Sequence, residues 1–248
     1  LGPVLAGLLV QYLPHPLQLP FIVHIVLAVL AIGAVWLVPE TSDRDGRIGF
    51  QRLSVPAEVR STFVIAATAA FAGFAVMGLF SAVAPSFVST VIGIGNHAVG
   101  GAVASSIFVA SAAAQLAGRR LNPRRAVALG CAVLVIGMVI LAAALQLSSL
   151  AGLLAAAVVA GAGQGISFSR GLAAVVEGTP AARRAEVSSM YFVVAYVAIS
   201  LPVVSLGLAA RHWGLQAAGV SFAVLIAVLA AICLGAVLWE ERRRSDQI

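Results

Sequence analysis

Of the 248 residues, 61% are hydrophobic and 10% charged, with a mean hydropathy of +1.07, which leaves too little polar surface to cover a water-soluble globule. A bilayer core of roughly 30 Å takes about 20 helical residues to cross, so the apolar blocks read as an all-α, polytopic transmembrane bundle of about eight helices. The net charge of +6 does not point to nucleic acid, because all fifteen basic residues are Arg and fourteen lie in the polar breaks and tail that flank the apolar blocks, where headgroups and topology signals act.

In chain order, the blocks predict helices near 1–13, 18–38, 62–90, 98–118, 126–146, 150–176, 187–209 and 217–239. The first starts at Leu1 without Met or a basic n-region, so it reads as an interrupted membrane helix and the chain as truncated, not as one opening on a signal peptide. The breaks alternate in arginine content. The 39–61 loop carries Arg44, Arg47, Arg52 and Arg60, the 119–125 loop Arg119, Arg120, Arg124 and Arg125, the 177–186 loop Arg183 and Arg184, and the tail Arg242, Arg243 and Arg244. The breaks at 14–17, 91–97 and 147–149 have none, and 210–216 has Arg211 alone. Short arginine-bearing loops stay inside, so the chain is expected in the cell inner (plasma) membrane, multi-pass, with a cytoplasmic C-terminus.

A long-range repeat follows from the same pass. IVLAVLAIGAVWLVPETSDR from Ile25 resembles LIAVLAAICLGAVLWEERRRSD from Leu225: each has Gly-Ala-Val shortly before Trp, then acids and arginines. A helix with Pro and a following Gly precedes each, Pro3 with Gly7 and Pro202 with Gly207. A helix pair thus ends each half. This predicts 1–40 as the last two helices of a first six-helix half, 41–60 as a cytoplasmic inter-half loop, 61–240 as the second half, and 241–248 as a cytoplasmic tail.

Six plus six helices in parallel halves resembles the major facilitator superfamily, and three stretches are similar to its motifs. LGPVLAGLL resembles the Gly-Pro motif of the fifth helix of proton-coupled drug antiporters, matched by Gly2, Pro3 and Gly7, with Ala6 where a glycine is usual. GRRLNPRR at 118–125 resembles the basic loop between the second and third helices of a half, with Asn122 in place of the usual Asp. The segment 161–202, GAGQGISFSRGLAAVVEGTPAARRAEVSSMYFVVAYVAISLP, resembles the tenth and eleventh helices and their loop, and GLFSAVAPSF at 78–87 strengthens the likeness. The resemblance implies an alternating-access transporter with about eight of twelve helices present. Its partners would be a small-molecule substrate, protons as coupling ion and membrane lipids, with efflux as the direction. The rival from another class is a non-transporting membrane sensor or scaffold on the same fold.

No enzyme is expected: the residues form no catalytic arrangement, metal-ligand cluster or phosphate-cradling run, and no cofactor is implied. Gly161 and Gly165 read as a small-xxx-small packing face. Arg170 is the most informative residue, since an ionisable group within a span either faces a cavity or partner or snorkels to the headgroups. Gln115, Gln164, Tyr191 and Tyr196 lie on helices that, by the resemblance, line the central cavity, and each reads as cavity wall or interhelix hydrogen bond. Gly118, Arg119, Arg120, Arg124, Arg125 and Glu177 are the cytoplasmic gate candidates, with Glu177 either latching to an arginine or ending its helix in solvent. His24 and His97 read as structural more readily than as titrating groups. Cys131 and Cys233 read as small buried hydrophobes.

Overall fold

The computed structural model describes residues 2–39 and 54–245. Among these residues there is no strand, and the α-helices are α1 (Gly2–Tyr12), α2 (Leu19–Trp36), α3 (Arg60–Ala82), α4 (Ala84–Thr90), α5 (His97–Gly118), α6 (Pro123–Gln146), α7 (Leu150–Glu177), α8 (Arg184–Trp213) and α9 (Leu215–Ser245). Helix is the form lipid imposes on an apolar segment, because it satisfies the backbone N–H and C=O groups without water. Seven of these helices are long and apolar enough to cross a membrane, and α1 is a shorter apolar one. Arg44, Arg47 and Arg52, most of the predicted 41–60 loop, and the end of the tail lie outside the described residues.

Local chemistry sets the helix ends. Asn96 accepts from the Ala98 and Val99 N–H groups at the start of α5. Asn122 accepts from the Arg124 N–H, with Pro123 as the first residue of α6, and Ser149 accepts from the Gly152 N–H at the start of α7. Each supplies an acceptor to a first-turn amide that has no partner in its own helix. Gly214 takes a φ of 81° and turns the chain directly from α8 into α9, a conformation that favours glycine.

The continuous helix expected over 62–90 is instead two, and Pro85 supplies the reason. It has no N–H to return to the preceding turn, so α3 closes on Val83, whose N–H donates to Leu79 O at 2.8 Å, and a new helix starts at Ala84 with Pro in its first turn. Pro202, by contrast, sits inside α8, and the helix continues through it.

The core runs between α6 and α7, where Leu134, Met138, Leu141 and Leu153 are buried. There the backbones of Gly130 and Gly163 meet, because neither residue carries a Cβ to hold the helices apart. The face predicted from Gly161 and Gly165 packs on α5: a methyl group at either would collide with the carbonyl of Ile107 or Ser111. The α3 helix packs against α7, α8 and α9, α1 lies on α5, and α2, in which no residue is buried, rests on α1.

The bundle has two chemically distinct ends. At one, the Ser54 hydroxyl donates to Glu186, the Ser61 hydroxyl to Glu240, and Asn122, Arg124, Glu58 and Glu177 surround a common crevice. At the other, the His97 N–H donates to Gln11 Oε1 at 2.8 Å, and Gln216 donates to the Leu145 carbonyl at 2.8 Å. The described breaks that carry two or more arginines therefore gather at a single end, as their alternation along the chain predicts, and Arg211 lies at the other.

Candidate functional site

Near the middle of α3, α5 and α7 lies a cavity of about 230 Å³. Phe74 and Met77 of α3, Phe108 of α5, Phe168 of α7 and Ile199 of α8 form its apolar wall, and Ser81, Ser111, Gln115 and Gln164 supply its polar groups. No described residue lining it is ionisable.

Gln164 is 1% exposed, and its position follows from what faces it. Gly73 leaves the room that the Gln164 side chain occupies, since a Cβ there would strike Gln164 Cγ and Cβ. The Ser111 hydroxyl donates to Gln164 Oε1 at 2.6 Å, and Gln115 Nε2 donates to Ser111 Oγ at 3.2 Å. This chain of three polar side chains joins α5 to α7 and satisfies groups that would be costly to leave alone in an apolar interior. Gln164 thus both bonds across helices and lines this cavity, while Gln115 lines it one turn further along α5 and bonds within its own helix.

The two tyrosines separate. Tyr191 is fully buried behind the wall: its ring stacks on Phe168 with centroids 5.5 Å apart, and its hydroxyl lies 3.2 Å from Ala66 O and 3.3 Å from Phe168 O. It supports the cavity without lining it. Tyr196 is 68% exposed on α8 and does not line this cavity, because five residues on from Tyr191 is more than one turn and turns the ring to a different side of the helix. Arg170 does not line the cavity either. It is partly buried on α7, and its Nε is buried with no hydrogen-bond partner among the described residues.

At the arginine-bearing end, Arg124 and Glu177 line one crevice of about 460 Å³ with Glu58, Thr62 and Asn122. Among the described residues Glu177 makes no ion pair, whereas Arg183 and Glu186 pair at 3.1 Å. Arg119, Arg120 and Arg125 are exposed beside the crevice-lining residues, and Gly118 packs under Ile166. The contacts that do tie this end together were not singled out in the sequence. Ser54 and Arg183 both hold Glu186, joining the segment before α3 to the start of α8, and Ser61 holds Glu240 of α9.

The Gly-Pro stretch meets α5. A Cβ at Gly7 would fall against His97 O and Ala98 Cα, and Gly101 leaves room for the Pro3 carbonyl. The Val4 N–H, free in the first turn of α1, donates to Ser105 Oγ at 3.0 Å. Gly2 faces open space. Pro3 and Gly7 therefore sit at a close helix crossing, while Gly2 does not. His24 and His97 are exposed.

Ser111, Phe74, Phe108 and Phe168 were missed as cavity residues. A spacing signal existed for two of them, since Ser111 precedes Gln115 by four residues and Phe168 follows Gln164 by four, which places each pair on one helix face.

Among known protein families, the model described as Major Facilitator Superfamily matches residues 1–203. No curated protein matches the chain.

Proposed function

The chain belongs to the Major Facilitator Superfamily, and from that membership we propose a secondary transporter that moves a small organic solute by alternating access, as proton-coupled efflux across the inner membrane. That it is a multi-pass membrane transporter follows from the family and the apolar helices. The solute, the direction and the coupling ion are the proposal.

The observation that carries it is the cavity between α3, α5, α7 and α8. Phenylalanine faces and a hydrogen-bonded Ser111–Gln115–Gln164 chain offer a solute apolar contact plus a few directional polar groups, the usual composition of a small-molecule site. Its place halfway along α7, with thirteen residues from Gln164 to Glu177, suits a site exposed alternately to the two sides by rocking of helix bundles. Efflux and proton coupling rest on the Gly-Pro stretch and its likeness to drug antiporters. A cytoplasmic C-terminus rests on the gathering of arginines at one end. Arg119, Arg120, Arg124, Arg125 and Glu177 line or flank the crevice through which that side would open and close.

Flux in proteoliposomes holding the full-length protein tests the reading, with an imposed pH gradient and a panel of uncharged, cationic and anionic aromatic solutes. At least one solute should move in response to the gradient and stop when an uncoupler collapses it. Gln164→Leu should reduce that flux at least about tenfold by leaving the Ser111 hydroxyl without its acceptor. Gradient-independent flux would remove proton coupling, and full flux in Gln164→Leu would remove the site.

A further inference from the structure

Two thiols that the transport reading leaves unused meet inside the bundle. Cys131 of α6 and Cys233 of α9 are 1% and 2% exposed and share one apolar cluster with Ala69, Val127 and Val237. Cys131 and Cys233 lie side by side in that cluster, and the Cys233 thiol donates to Ile65 O of α3 at 3.3 Å. The contact joins helices that are distant in sequence, since 102 positions separate 131 from 233, and so it is a product of the fold.

One turn nearer the arginine-bearing end, Val127 and Val237, each four residues from its cysteine, line with Ile65 a crevice of about 30 Å³. Arg124, Glu240 and Glu241 stand around it. A space of that size admits a water-sized molecule and excludes bulky thiol reagents.

We propose that Cys131 and Cys233 form a modification site, a dithiol that a small uncharged two-electron oxidant of the hydrogen peroxide class converts into an intramolecular disulfide joining α6 to α9. The Cys233 sulfur, whose proton is held by the Ile65 carbonyl, is the first nucleophile. Its attack on peroxide forms an S–O bond and breaks the O–O bond, and the departing hydroxide takes the Cys233 proton and leaves as water. The Cys131 sulfur then attacks the sulfenic sulfur. The S–S bond forms, the S–O bond breaks, and the hydroxyl leaves as a second water with the Cys131 proton. Two thiols are oxidised, and one peroxide is reduced to two waters. The crevice supplies selectivity, passing peroxide and holding back larger electrophiles.

The full-length protein in native membranes is exposed separately to hydrogen peroxide and to N-ethylmaleimide, and its peptides are mapped by mass spectrometry without reductant. Peroxide should yield a linked pair of peptides containing Cys131 and Cys233, lighter by about 2 Da than the two thiols and separated by dithiothreitol. Cys131→Ser and Cys233→Ser should each abolish the link, and N-ethylmaleimide should label either native thiol to no more than about a tenth of the extent seen at Asn122→Cys, a solvent-exposed position. The proposal fails if both thiols survive a peroxide dose that oxidises Asn122→Cys. It fails equally if the cysteines become separate sulfinic or sulfonic acids, or if the link joins two copies of the chain. The covalent readout needs no transport, so its failure is distinguishable from failure of the transporter reading.

Discussion

Replacing Gly165 with Ala adds one methyl group to the face of α7 that lies on α5. A Cβ there would overlap the Ser111 carbonyl oxygen and stand 2.9 Å from both Ser111 C and Cα. These are backbone atoms, so no side chain can rotate out of the way and one helix must move. Overpacking of this kind costs about 1–3 kcal/mol, against a gain of about 0.8–1 kcal/mol for Ala over Gly in a helix interior. The net expectation is a loss of up to about 2 kcal/mol. Gly235 of α9 is the internal control, because it faces open space and Gly235→Ala should gain up to about 1 kcal/mol from propensity alone. Dodecyl sulfate unfolding of the protein in mixed micelles, followed by circular dichroism, measures both. Ser111 is also the donor to Gln164, so Gly165→Ala should lower solute flux while Gly235→Ala leaves it unchanged. Equal stability of the two variants would refute the claim that a close α5–α7 backbone contact positions the cavity.

Further outcomes follow from the same geometry. Asn122→Cys should resist an impermeant thiol reagent in intact cells and react in inverted vesicles, and ready labelling from outside would reverse the orientation. Arg170→Ala should abolish transport with membrane abundance near normal, because a buried Nε without a partner fits a group that engages another surface during the cycle; unchanged transport would reduce Arg170 to a snorkelling residue. Tyr196→Ala should retain wild-type flux, since the ring is 68% exposed, and a loss comparable to that of Gln164→Leu would place it in the solute path after all.

The sequence by itself determined the solvent, the helices apart from the break between α3 and α4, and the gathering of the arginine-rich breaks at one end. Hydropathy compares a whole segment with lipid, and arginine placement compares one break with the next, so both are local sums that need no knowledge of neighbours. The glycine face of α7 was equally legible, because it is a feature of a few neighbouring residues. Tertiary structure decided which side of each helix meets which neighbour. Lipid is as apolar as a packed interior, so a transmembrane helix carries little amphipathic pattern to announce its buried face. That is why Gln164 and Tyr196, both polar groups on apolar helices, read alike in sequence yet end in a cavity wall and on an exposed surface. For the same reason the pairings of Cys131 with Cys233 and of Ser54 with Glu186 became visible when helices far apart in the chain were brought side by side: such a contact depends on the rotation and crossing of two helices, which neither segment encodes alone.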